Sequence, residues 1–168
     1  RLAKRYATAP PKGRFQGELV EATIAGHKAL LLTPLTYMNA SGQSVLAARD
    51  FYKIPNEEIL VVCDHFALPR GKLRLRVKGS SGGQNGLKDI LHRLGTEEVP
   101  RLRIGIGIPP AGRGSAGWVL GKFTPEEKNE IATALDQAAE AAAVWVKEGM
   151  ATAMNKFNVG SNEKESGD

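Results

Sequence analysis

Between Lys72 and Gly107 the hydrophobic period changes twice, and that change limits the folds open to the chain more than any other feature. Lys72 to Lys78 reads KLRLRVK, a strict alternation. It sets Leu73, Leu75 and Val77 toward a core and Lys72, Arg74, Arg76 and Lys78 on the opposite face of a strand. After the loop KGSSGGQNGLKD, Leu87, Ile90, Leu91 and Leu94 recur at helical spacing, with Gly95 as the stop. Arg101 to Gly107, RLRIGIG, alternates again: Leu102, Ile104 and Ile106 point inward, and Arg101 and Arg103 point outward before the face shrinks to Gly105 and Gly107. A basic strand, a glycine loop, a helix and a second strand therefore follow one another closely.

The loop contains more glycine than a turn requires, at Gly79, Gly82, Gly83 and Gly86, with Gln84 and Asn85 between them. No GxxxxGK[ST] or GxGxxG runs through it, and in GIGIPPAG a proline takes the place of the third glycine. A nucleotide cofactor has no support, and no cofactor is expected. Bare N–H groups, a helix amino terminus and the Asn85 amide would suit a carbonyl, a developing oxyanion or a phosphate.

Upstream, Leu19–Ile24 and His27–Leu32 read as a hairpin around Ala25-Gly26, and TYMNASGQ leads into a helix over Ser44–Tyr52. Ile59–Cys63 reads as a strand buried on both sides. Asp64 would then stand at the carboxyl end of a central strand, where open α/β sheets bind ligands. Asn39 and Asp64 each have a simpler reading, as a helix cap and a turn cap. Downstream, PPAGRGSAG has the composition of a mobile loop. Thr124-Pro-Glu-Glu127 starts a helix running to about Glu148, with Ile131, Leu135, Ala138, Ala142 and Trp145 as its apolar stripe. MATAMNKFN adds a short turn before a polar tail.

The 168 residues, 42% hydrophobic, suffice for one domain. No apolar run approaches membrane-spanning length and no signal pattern opens the chain, so a cytoplasmic protein is expected. The single cysteine, Cys63, reads as a buried thiol, and His27, His65 and His92 are too scattered for a metal site. The net charge of +5 matters through its distribution. Arg70, Lys72, Arg74, Arg76, Lys78, Lys88, Arg93, Arg101 and Arg103 face only Asp89, Glu97 and Glu98 in the same stretch. Same-face residues on a strand lie about 6.6 Å apart, a spacing that can follow phosphates. The alternative is a charged strand guarding a sheet edge.

Taken together, TYMNASG, the strand ending in Asp64, GKLRLR, KGSSGGQNGLKD and RLRIGIG followed by GWVLGKF resemble the bacterial-type peptidyl-tRNA hydrolase family over roughly 15–157. The resemblance implies an α/β fold in a single domain, with a twisted mixed sheet flanked by helices, over 1–157, and a polar tail over 158–168. It implies metal-independent hydrolysis of the ester joining a nascent peptide to tRNA, by a cytoplasmic monomer (organellar if eukaryotic) serving translation. The partner is peptidyl-tRNA, met at its acceptor stem and 3′ end. Asp64 matches the acid that orients the base, and Asn39 the amide that steadies water or oxyanion. Tyr37, Met38, Asn85, Gly82 and Gly83 match the peptide-binding surface. Arg74, Arg76, Lys78 and Arg103 match tRNA-binding positions, and 112–117 falls in the lid.

Three departures stand beside these matches. The family's first strand, glycine turn and base-bearing histidine segment have no counterpart here, so the chain as written is expected to be inactive or severely impaired. Loss of a general base costs about 10²–10⁴-fold. The family's DELDLP is DHFALP here, and Gln84 occupies a loop position where histidine is common. His65, neighbouring Asp64 on a strand, should point away from it and reads as a surface residue. The alternative function is a non-catalytic RNA-binding protein on the same scaffold, such as an organellar intron-splicing factor.

Overall fold

The computed structural model describes residues 1–112 and 114–158. Most of the expected polar tail lies outside the described residues, as does Arg113 of the glycine-rich loop. The elements are α1 (Leu2–Tyr6), β1 (Lys12–Arg14), β2 (Gly17–Ile24), β3 (His27–Pro34), α2 (Ser41–Tyr52), β4 (Val61–His65), β5 (Leu73–Arg76), α3 (Asn85–Leu94), β6 (Arg101–Gly105), α4 (Ser115–Val119), α5 (Pro125–Glu148) and α6 (Met150–Phe157). The class is α/β, with two three-stranded sheets, β1-β2-β3 and β4-β6-β5. The chain divides into two compact units: Arg1–Val61 with Val77–Arg101, and Val62–Arg76 with Leu102 onward.

In the first unit β2 and β3 form the expected hairpin, with Ile24 opposite His27. Ala25 and Gly26 have φ of 50° and 84°, the paired positive values of a tight turn whose twist matches that of the strands. Leu19, Val20, Ala22 and Ile24 of β2 are buried. The short strand β1, which no apolar alternation marks, joins β2 through Phe15-Gln16. Leu87, Ile90, Leu91 and Leu94 form the buried stripe of α3, and Gly95 closes it at φ 69°. Helix α2 packs on α3 at Gly42, where a Cβ would stand 2.6 Å from the Asp89 carbonyl oxygen. The Gly42 N–H donates to Asp89 Oδ2 at 2.8 Å, so a carboxylate serves the amino end of α2.

In the second unit β6 is the middle strand. Val61 N–H donates to Pro100 O at one end of the pair and Ile106 N–H to His65 O at the other, so β4 and β6 run parallel. Gly105 N–H donates to Lys72 O and Gly71 N–H to Gly105 O, so β5 runs antiparallel to β6. Leu73, Leu75, Leu102 and Ile104 are buried, as the alternation predicts.

Several expectations change. β4 continues through His65 and lies at one end of its sheet, and Val62 is 48% exposed, so the strand is neither central nor buried on both sides. An unbroken apolar run cannot distinguish an outer strand from an inner one. β5 ends at Arg76, which leaves Val77 half exposed and takes Lys78 out of the cationic row. The helix α5 starts at the predicted capping box, with Thr124 and Glu127 bonding reciprocally. Its buried stripe is Ala134, Ala138, Ala139, Ala141 and Ala142, while Leu135 is exposed. Small side chains let neighbouring elements approach, so here burial follows size rather than hydrophobicity. The segment read as a loop contains α4, and Trp118 Nε1 donates to Gly107 O at 2.7 Å. Asn158, assigned to the tail, is bonded to β5.

Candidate functional site

In the first unit, Tyr37-Met38-Asn39 enters a 3-10 turn over Met38–Ala40 that leads directly into α2. The N-cap residue of α2 is Ala40, which has no side-chain cap, so the simpler reading of Asn39 fails and its exposed carboxamide is not spent on the helix. Tyr37 is 87% and Met38 58% exposed, high values for large apolar side chains. Met38 is nevertheless located: Gln84 Nε2 donates to its Sδ at 3.6 Å, and a Cβ on Gly86 would stand 2.6 Å from that sulfur. A side chain at 86 would therefore displace Met38 from this position.

Gln84 does a second task that the sequence did not reveal. Its Oε1 accepts the Leu87 N–H at 2.7 Å, making it the amino cap of α3. Asn85 follows as the first helical residue, exposed, next to the Gln84 that holds Met38. Gly82 and Gly83 are exposed with φ of 57° and 81°, which only glycine adopts without strain. The loop entrance is held by Arg101, which is 0% exposed. Its Nε donates to Val99 O at 2.8 Å, Nη1 to Gly79 O at 2.6 Å and Ser80 O at 3.1 Å, and Nη2 to Glu97 O at 3.2 Å. Arg101 is thus not an outward cation. Arg93 is ion-paired to Asp89, and the exposed Lys78 lies 3.7 Å from Glu98.

The second unit collects the remaining charged candidates. Asp64 is half-buried inside β4, not in a turn. His65 is buried rather than on the surface. Its pKa is lowered from 6.5 to about 4, first by burial and then by the charges of Arg103 and Arg74, with Asp64 opposing them. The two arginines therefore lie beside His65. Counting two residues along each strand from the Lys72–Gly105 bond sets Arg74 opposite Arg103. Like charges facing each other across a ladder repel, and an anion placed over them relieves that repulsion. Arg76 stands next along the same face of β5. Arg70 is instead occupied by Glu127 at 2.5 Å and Glu130 at 3.6 Å. Among the described residues no three of His, Cys, Asp and Glu are grouped to hold a metal ion, and no helix is long and apolar enough to cross a membrane.

A family model described as peptidyl-tRNA hydrolase matches residues 1–166. The chain belongs to the peptidyl-tRNA hydrolase family. A peptidyl-tRNA hydrolase of Rhodopirellula baltica is 49% identical over 160 residues, covering 95% of this chain and 84% of the relative. One of Geobacillus kaustophilus is 45% identical over 157 residues, covering 94% and 84%. The crystal structure of the peptidyl-tRNA hydrolase from Acinetobacter baumannii superposes with a TM-score of 0.86 at 38% identity, covering 94% of this chain and 81% of that one. Membership of the peptidyl-tRNA hydrolase family thus rests on both sequence and fold.

Proposed function

We propose that the chain acts in hydrolysis of peptidyl-tRNA, with different residues serving different parts of the substrate. Tyr37, Met38, Asn39, Gly82, Gly83 and Asn85 bind the peptide: the amides pair with its main chain while the exposed apolar side chains cover it. Asn39 in addition steadies the attacking water or the oxyanion. Arg74, Arg76 and Arg103 take tRNA phosphates, with Lys78 as an outlying contact. Asp64 orients the general base. Water adds to the ester carbonyl, the bond to the ribose 3′ oxygen breaks, and that oxygen leaves with a proton; no metal enters these steps.

The observation that carries this reading is the placement of Met38, which fixes Asn39 beside the start of α3 and leaves both amides open to a ligand. None of the three histidines suits the base. His65 is buried beside two arginines with a pKa near 4, far below the pH at which a base works best. His27 and His92 are exposed on β3 and α3. We assign the base to a residue outside these 168.

The test sets two variants against each other on peptidyl-tRNA in a protein that carries the base. Asn39→Ala should lower kcat by about a hundredfold, as loss of an oxyanion donor does, with tRNA affinity nearly unchanged. Arg74→Ala should weaken tRNA binding and leave kcat at saturation close to its original value. Equal effects of both variants on both parameters would overturn the division of roles. Full-rate turnover by the 168-residue chain alone would overturn the assignment of the base.

A further inference from the structure

β5 stands at one end of its sheet's strand order and is four residues long, with buried Leu75 between Arg74 and Arg76. Along a strand, backbone N–H and C=O groups alternate in direction. Those of Arg74 and Arg76 face β6, and those of Leu75 face away. The outward pair meets a side chain instead of a strand. Leu75 N–H donates to Asn158 Oδ1 at 2.7 Å, and Asn158 Nδ2 donates to Leu75 O at 3.1 Å. A carboxamide carries the donor and acceptor of a peptide group, so this one side chain stands in for a residue of a neighbouring strand. Asn158 closes α6, which packs on β5.

We propose that Asn158 is a positioning residue for tRNA binding. By satisfying both backbone groups of Leu75 it fixes the segment from which Arg74 and Arg76 depart, and so the spacing at which the two guanidiniums meet successive phosphates. The inference rests on Arg74 and Arg76 being tRNA contacts. Packing of α6 needs only apolar contact anywhere along β5; the paired hydrogen bonds fall at the one residue between the two arginines, where control of their backbone has most effect.

The experiment measures the tRNA dissociation constant, KM and kcat for Asn158→Ala, Arg74→Ala and the double variant, below the unfolding temperature of each. Asn158→Ala should weaken tRNA binding about fivefold, the net worth of a hydrogen bond, with the loss in KM rather than kcat. Because the alanine acts through the arginines, the double variant should bind little worse than Arg74→Ala alone. Asn158→Gln, which keeps an amide on a longer arm, should fall between alanine and the original and serves if alanine prevents folding. Losses that multiply in the double variant, or a fall in kcat at unchanged affinity, would overturn the proposal. If Arg74→Ala weakens binding and neither Asn158 variant does, the Asn158 inference alone fails. If Arg74→Ala leaves binding unchanged, the phosphate role itself fails and the inference falls with it.

Discussion

A residue's type states what it can do, and its surroundings decide whether it does it. His65 shows this through its charge. Its folded pKa of about 4 lies below the unfolded 6.5, so unfolding takes up a proton throughout that interval. The stability it contributes is full above pH 6.5 and is lost as pH falls toward 4, by at most about 3 kcal/mol. Urea midpoints at pH 7 and pH 4.5 should therefore separate more for the original protein than for His65→Gln; equal separations would refute the burial argument. Asn39, Asp64, Asn85 and the outward arginines of β5 could be proposed from sequence because each lies in a short motif. Arg101 was not. Its alternation with Leu102 and Arg103 marked it as an outward cation, but its guanidinium binds carbonyls from Gly79, Ser80 and Glu97, residues that only folding brings to it.

At the scale of elements, period and punctuation located most helices and strands. The capping box at Thr124, the Ala25-Gly26 turn and the Gly95 stop each act within a few residues, so local sequence suffices to place them. Thr124→Ala should cost about 1 kcal/mol, visible as a lower thermal midpoint, since the Glu127 N–H loses its acceptor. Packing between elements is less visible. Nothing in the segment TYMNASGQ marks Gly42 as a contact, yet it brings α2 against the backbone of α3. Gly42→Ala should destabilise by about 1–3 kcal/mol, because the atom it meets is a carbonyl oxygen that cannot swing aside. An unchanged denaturation midpoint would show that the helices have room to part. The alanine stripe of α5 and the outer place of β4 escaped the periodicity reading for a related reason: hydropathy records what a side chain prefers, not what stands next to it.

For the whole molecule, the basic excess predicts how binding responds to salt. Each phosphate neutralised releases counterions, so tRNA affinity should fall linearly on a log–log plot against salt. Arg74→Ala and Arg76→Ala should each reduce that slope by about one. A slope unmoved by either would assign the +5 charge to solubility instead. The sequence by itself determined most of the strands and helices, the glycine loop, the basic face of β5 and the family, because these depend on spacing along the chain and on side-chain type. Only the tertiary structure decided that Arg101 is a buried clamp, that Gln84 caps α3 while touching Met38, that His65 is desolvated beside two arginines, and that Asn158 completes the edge of β5. Each of these depends on a partner distant in sequence, whose proximity the pattern of one segment does not encode.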